Sequence, residues 1–296
     1  MAVREALAGY LFASPWLLGL LLWTIFPIVA SLYLSFTDYH VLKPPVWSGL
    51  QNYITALSGE DHQFWPSLGR SFRYALQVVP SSIIGSLALA ILLNQGLKGT
   101  SVYRTLFFLP HLTPLVAMAI LWRWLLHAEV GPVNYLLGRF GIPPVPWLAS
   151  EKWSLTSLGL IGIWGSTGGN AMLIFLAALQ GVPQELYEAA ELDGAGRWGR
   201  IRSVTLPMIS PAIFFNLVIG VIGALRVFGM AFVATDGGPG WSTTFYGLWL
   251  YRHAFQFFRM GYGSAMAWVL AIILFGLTYV QVTASNRWVY YAAEGV

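Results

Sequence analysis

An all-α membrane protein with six transmembrane helices is the fold class this sequence predicts, and three observations predict it. Hydrophobic residues make up 57% of the 296 residues and charged ones 9%, a balance outside the range of soluble domains. Apolar runs recur six times along the chain, each long enough to cross about 30 Å of hydrocarbon. Polar residues gather between the runs, in one partly charged hairpin and in loops rich in aromatic side chains, proline and glycine.

The runs fall at about 7–36, 74–93, 106–126, 155–179, 208–233 and 263–283. With no low-complexity tail and no internal linker, residues 1–296 read as a single membrane domain. The first run is too long for the apolar part of a signal peptide, about 7–15 residues, and no convincing cleavage site follows it, so it is expected to stay as a membrane helix. Pro27 interrupts this run, Pro80 the second, Pro110 and Pro114 the third, and Pro211 the fifth. Membrane helices tolerate such breaks where neighbours or a water-filled cavity satisfy the backbone. The fourth run gathers Gly159, Gly162, Gly165, Gly168 and Gly169, which suits either close helix packing or a solute pathway. Loops at about 37–70, 127–154 and 234–262 carry Trp47, Trp65, Trp147 and Gly237-Gly238-Pro239-Gly240. They read as interfacial anchors and turns, with contact to an external protein as the alternative.

Six spans put both termini on one side, together with the loops near 95–105 and 180–207. Basic residues such as Arg104, Arg197, Arg200 and Arg202 mark that side as cytoplasmic. The net charge of +4 is scattered, without a Lys/Arg run to track a phosphate backbone, so nucleic acid is not expected as a partner. The absence of cysteine removes disulfides and thiolate chemistry, and the five histidines form no ligand cluster, so no metal is expected. His111, beside Pro110, reads as a packed or pathway-lining residue. An intramembrane enzyme would need a Ser/His/Asp set or paired carboxylates at depth, and the runs offer neither. A passive channel would conduct without nucleotide.

Residues 183–207 stand apart. Pro183 suits a first helical position, and Glu185 and Glu188 follow where the helix dipole favours anions. Ala189 and Ala190 leave little side-chain bulk, Gly194 and Gly196 permit a sharp turn, and Arg197, Trp198, Ile201 and Arg202 read as a second short helix. Such a surface invites close approach by another protein. At membrane depth the polar residues to explain are Gln77, Ser166, Thr167, Asn170, Asn216 and Arg226. Ser166, Thr167 and Asn170 fall on adjoining parts of one helical face and offer groups suited to a polyhydroxylated solute. Interhelical hydrogen bonding is the alternative for Asn170 and the expectation for Asn216. Arg226 either snorkels to an interface or meets an anionic or hydroxyl-rich ligand.

Glu188-Ala189-Ala190, three residues, Gly194, nine residues, and Val204-Thr205-Leu206-Pro207 together resemble the EAA loop of binding-protein-dependent ABC importer permeases, with Val204 where the family has Ile. The wider run from Pro183 to Ala195 is similar to the carbohydrate branch, the maltose-type and glycerol-phosphate-type permeases. Further marks are Ser35-Phe36-Thr37-Asp38, Phe107-Phe108-Leu109-Pro110, Trp122-Arg123-Trp124, Leu173-Ile174-Phe175-Leu176 and Thr235-Asp236-Gly237-Gly238-Pro239. The resemblance implies a type I ABC importer permease fold with both termini cytoplasmic, in a bacterial or archaeal inner membrane. It also implies a second homologous permease, two cytoplasmic ATPase subunits, an extracytoplasmic solute-binding protein and a sugar as substrate. The chain has no GxxxxGK[ST] loop, so ATP and Mg would be held by the ATPase subunits and no cofactor by this chain.

By the same resemblance Glu188, Ala189, Ala190, Asp193, Gly194, Leu206 and Pro207 would couple to the ATPase. Ser166, Thr167, Asn170, Gly223, Ala224 and Val227 match, by distance from the loop, the residues that hold sugar near mid-membrane in maltose-type relatives. Arg226 joins them from the residue reading and points to the alternative cargo, a phosphorylated or acidic solute such as a glycerol phosphate.

Overall fold

The computed structural model describes residues 2–96 and 98–290. A first helix, α1, includes the apolar span Gly9–Ser35 and leads to a short antiparallel pair, β1 (Thr37–Asp38) and β2 (Val46–Trp47). Helices α2 (Gln51–Ser58) and α3 (Phe64–Leu93) follow, then α4 (Thr100–Leu112), α5 (Leu115–Leu125) and α6 (Pro132–Arg139). The second half holds α7 (Glu151–Ser166), α8 (Asn170–Gln180), α9 (Gln184–Leu192), α10 (Arg197–Met208) and α11 (Ser210–Leu225). Last come α12 (Gly229–Ala234), α13 (Tyr246–Tyr251) and α14 (Met260–Ser285).

The described residues hold three helices long and apolar enough to cross a membrane, or up to six spans if each of three bent pairs is one. The helices α1, α3 and α14 are long and apolar enough to cross a membrane unbroken; α4/α5, α7/α8 and α10/α11 are pairs bent by 92°, 44° and 67°. Two boundaries differ from the hydropathy pattern. The second helix starts at Phe64, not near 74, because its first turns bury Ser67, Leu68 and Ser71 against protein, where a run of low hydropathy is no obstacle. The fifth run stops at Leu225, and the remainder forms the separate helix α12.

Two prolines are accommodated by one device. In α1 the turn Leu21–Ile25 widens to a π-helical turn two residues ahead of Pro27, and in α10 the turn Ile201–Thr205 widens in the same way ahead of Pro207. A helical proline donates no hydrogen bond and presses its ring on the carbonyl four residues back. Widening the preceding turn moves that carbonyl aside, so the helix continues instead of ending.

The chain divides into two compact units, Met1–Trp65 with Trp249–Ile273, and Pro66–Leu248 with Leu274–Val296. In the first, Asn52 donates through Nδ2 to the carbonyls of Ser35 and Thr37 at 3.0 and 2.9 Å, and the Tyr53 hydroxyl donates to Ser35 Oγ at 2.7 Å. These bonds fix the exit of α1. Nearby, Asp61 Oδ2 accepts from the Trp249 indole N–H at 2.8 Å and the Tyr262 hydroxyl at 2.7 Å, while Oδ1 accepts from the Gln63 backbone N–H at 3.0 Å. His253 Nε2 stands 3.5 Å from the same carboxylate, with both side chains under a tenth exposed.

Burial pushes the His253 imidazole down to about 4; Asp61 pulls the other way, and Arg259 adds to the fall. The unfolded chain takes up that proton near pH 6.5. Between about pH 6.5 and about 4 the folded unit therefore holds fewer protons than the unfolded chain, and its stability drops as pH drops. Amide hydrogen exchange across 246–262, corrected for intrinsic rates, is expected to quicken over that window. In a His253→Leu variant the pH dependence is expected to flatten; an equally steep profile there would show that another group is responsible.

In the second unit the glycines of the fourth run act as notches. A Cβ on Gly159 would strike the Gln77 amide, one on Gly162 the Tyr74 hydroxyl, and one on Gly165 would lie 3.2 Å from Met118 Cε. Gln77 is held in its notch by a 3.2 Å bond from Nε2 to the Thr156 carbonyl. Close approach through small residues is how membrane helices gain contact when lipid itself is apolar. Further along, Ala90 and Leu93 of α3 pack with Met172, Phe175, Leu176 and Leu179 of α8 and with Ile209 in one buried cluster.

Candidate functional site

The break between α7 and α8 arises at Thr167-Gly168-Gly169. Gly168 adopts φ +85°, in the left-handed region, and its missing Cβ makes room for the Phe107 carbonyl; a Cβ on Gly169 would lie 2.7 Å from His111 Nδ1. The chain thus unwinds where a side chain and a carbonyl from α4 press in. Broken membrane helices of this kind expose backbone and polar groups to an enclosed space, which is where solute sites form in transporters.

Such a space is present. A cavity of about 380 Å³ opens beside the break, walled by Tyr74 and Ser82 of α3, His111 of α4, Ser166 and Asn170 at the break, and Asn216 of α11. Gly220, Gly223 and Ala224 of α11, with Val227 just beyond its end, complete that side. Its size lies within the range of small-molecule sites, about 300–1,000 Å³. Larger cavities exist, one of about 580 Å³ among the loops near Glu129 and Trp147, but this one lies at the broken helix.

Hydrogen-bonding capacity in the cavity comes from hydroxyls, amides and the His111 imidazole. No carboxylate, lysine or arginine lines it. Asn216 spends one amide hydrogen on the Ala212 carbonyl at 2.8 Å, and Ser82 spends its hydroxyl hydrogen on the Val79 carbonyl at 3.1 Å. Each keeps an acceptor oxygen for other partners. Ser166 and Asn170 are exposed. Hydroxyl and amide groups around a partly apolar wall suit a hydroxyl-rich solute.

Of the pathway residues expected from sequence, the cavity brings together Ser166, Asn170, Gly223, Ala224 and Val227. Thr167 and Arg226 lie outside its lining. Because the helix ends at Ser166, the next residue no longer continues its face: Thr167 packs in the notch of Gly85, and its buried Oγ1 has no hydrogen-bond partner. Arg226 is the exposed cap residue after Leu225, where α11 has ended. Asn216, expected only as a helix contact, also faces the cavity, and His111 takes the pathway-lining option. Tyr74 and Ser82 were not singled out by sequence, though Tyr74, Val78 and Ser82 recur at the four-residue spacing of one helix face and all three line the cavity.

The hairpin forms as its residue types dictate. Pro183 takes the cap position, one residue ahead of the expected one, and α9 ends in a paired turn in which Ala195 N–H bonds the Ala190 carbonyl at 2.9 Å and Gly194 N–H the Glu191 carbonyl at 3.0 Å. That pattern is a Schellman motif, and it places Gly194 at φ +82°. The Tyr187 and Thr205 hydroxyls share a 3.1 Å hydrogen bond, and Arg200 pairs with Glu191 at 2.9 Å, so α9 and α10 are tied to one another. Glu188, Ala189, Asp193 and Gly194 are exposed, Ala190 is half-buried, and Glu188 has no partner among the described residues. Leu206 and Pro207 are half-buried at the exit, where the Ser210 hydroxyl accepts from the Tyr290 backbone N–H at 2.9 Å.

Residues 71–289 match the protein family described as the binding-protein-dependent transport system inner membrane component. The sequence is 41% identical over 295 residues to a probable ABC transporter permease protein, YesP, of Bacillus subtilis, covering 98% of this chain and 94% of that one. It is 33% identical over 291 residues to the trehalose/maltose transport system permease protein MalF of Thermococcus litoralis, covering 96% of each. Among solved structures, a bacterial ABC transporter involved in the import of the acidic polysaccharide alginate has a chain that superimposes with a TM-score of 0.85 at 23% identity, over 97% of each chain.

Proposed function

Because the chain belongs to the family of binding-protein-dependent transport system inner membrane components, we propose that it is the permease subunit of an ATP-driven sugar importer working by alternating access. Relatives named as trehalose/maltose and lactose permeases support a sugar as cargo. The observation that carries the proposal is the link between the two sites. An exposed acidic face on α9, whose Glu188 has no partner among the described residues, is braced to α10, and α10 runs through Ile209 into α11, one wall of the cavity.

In this mechanism two ATPase subunits hold ATP and Mg on one side and an extracytoplasmic binding protein delivers solute on the other. A second, homologous permease faces this chain, and both termini lie on the cytoplasmic side with the hairpin. Glu188 accepts charge-assisted hydrogen bonds from basic groups of an ATPase, and Ala189, Ala190, Asp193 and Gly194 shape the contact. Leu206 and Pro207 stiffen the exit into α11. Closure of the ATPase pair then moves the hairpin and tilts α8 and α11, which re-aims Ser166 and Asn170 from one side of the membrane to the other. Thr167, Arg226 and Val227 flank the path. The chain itself performs no catalysis. With Arg226 outside the cavity lining, a neutral sugar fits this site better than a phosphorylated or acidic solute.

Reconstitution of the chain with a partner permease, ATPase subunits and a maltose-loaded binding protein tests the assignment. Loaded binding protein is expected to stimulate ATP hydrolysis and drive uptake. Asn170→Leu is expected to lower uptake about tenfold, the loss of roughly one and a half kcal/mol from a desolvated hydrogen bond. Uptake that proceeds without nucleotide would identify a passive channel instead.

A further inference from the structure

At the root of the hairpin lies a second cavity, of about 470 Å³, distinct from the solute cavity and from the exposed face of α9. Its polar lining comes from Asn94 and Gln95, just beyond the end of α3, from Tyr187 of α9, and from Arg197, Arg200 and Thr205 of α10, the Tyr187 and Thr205 hydroxyls being bonded to each other. Ile91, Leu179 and Ile201 are its aliphatic lining. No carboxylate lines it.

Much of the donor capacity here is unspent. Arg200 uses Nη1 on Glu191 Oε2 at 2.9 Å, leaving its other N–H groups, and its side chain is 29% exposed. Arg197, Asn94 and Gln95 make no side-chain hydrogen bond or ion pair among the described residues. Two guanidinium groups with amides beside them match the oxygens of a phosphate, which an arginine fork can bind in bidentate fashion. The aliphatic side chains beside these groups suit an acyl chain or a sugar-ring edge. Trp198, next to Arg197, is 83% exposed, the disposition of an aromatic anchor at a membrane interface. Basic pockets between membrane helices commonly take lipid head groups.

We propose that this cavity binds a phosphate-bearing anion, either the head group of an anionic phospholipid or a soluble phosphate, and so clips the second helix of the hairpin to the end of α3. Occupancy then restrains α10 relative to α3 and sets how freely the hairpin moves. The site stands independently of which solute crosses the membrane.

Native mass spectrometry of the purified complex, prepared in nanodiscs of phosphatidylglycerol or of phosphatidylcholine alone, tests the lipid source. Titration with inorganic phosphate, followed by thermal shift in phosphatidylcholine, tests the soluble one. Retained phosphatidylglycerol or a saturable phosphate shift is expected, about fivefold weaker in Arg197→Gln, the loss of one basic group. Arg197 has no side-chain partner among the described residues, so this variant is expected to fold. Glu191→Gln frees Arg200 and is expected to keep or tighten binding, which loss of a merely structural ion pair would not do. The proposal is overturned if neither anion binds, if Arg197→Gln binds as the wild type does, or if Glu191→Gln weakens binding as much as Arg197→Gln. It is also overturned if binding by the isolated chain vanishes once ATPase subunits are present, since that assigns the cavity to a protein contact. Neither readout involves uptake, so a negative result here leaves the transport assignment standing.

Discussion

Replacing Glu188 with lysine is expected to reduce ATP-driven uptake about thirtyfold or more while leaving the chain folded. The side chain is exposed and has no partner among the described residues, so its loss removes no internal contact. Exposed positions of that kind change stability by about half a kcal/mol or less. Removing one member of a desolvated, hydrogen-bonded charge pair at an interface costs about 2 kcal/mol or more, and a lysine adds repulsion from the basic groups proposed to receive the acid. Two measurements separate these contributions: thermal melting of the purified chain, expected unchanged, and co-purification with the ATPase subunits, expected to fail. Glu188→Gln keeps the shape without the charge and is expected to fall between the two. Wild-type uptake by Glu188→Lys would remove this residue from the docking face.

A second large effect is expected at the α7/α8 break. Gly168→Ala places a methyl group against the Phe107 carbonyl at a residue with φ +85°, so both the backbone conformation and the space oppose it. A left-handed alanine costs about 1–2 kcal/mol before the collision is counted. The obstructing atom is backbone and cannot rotate away, so a total above about 3 kcal/mol and a clear fall in melting temperature in detergent are expected. Gly223→Ala is the control. That glycine lines the same cavity, lies inside α11 and has nothing within 4 Å of its missing Cβ. It is expected to melt like the wild type and yet to change solute uptake, because the methyl group narrows the cavity alone. If both variants melt alike, the break is not held as described.

What sequence disclosed and what it hid follow from the range of the interactions involved. The hairpin was legible because its determinants are local: Pro183 caps, Gly194 supplies the left-handed turn, and Tyr187 meets Thr205 within a single helix-turn-helix. The apolar helices were legible because lipid selects on composition. The 92° bend at Thr113–Pro114 was signalled by a proline, but its angle depends on what α5 packs against. Half of the cavity lining at the α7/α8 break escaped notice for a related reason. Tyr74 and Ser82 sit in a helix with several apolar faces, and only its packing on the glycine notches shows which one turns inward. Thr167 and Arg226 fall outside the cavity lining because the helices end at Ser166 and Leu225, and a break in a helix is set by what packs against it. The Asp61 cluster was invisible, since Trp249 reaches that carboxylate from 188 residues away.

The notches along α7 also constrain how this sequence can drift. Gln77 fills the space left by Gly159, Tyr74 that left by Gly162, and Met118 that left by Gly165. At each station the volume on one side sets the volume allowed on the other, so neither residue is free to change alone. A larger residue on α7 becomes acceptable only after its opposite number has shrunk, and the order of the two steps matters. The seam behaves as three coupled pairs, each a narrow passage through which substitutions must travel in sequence.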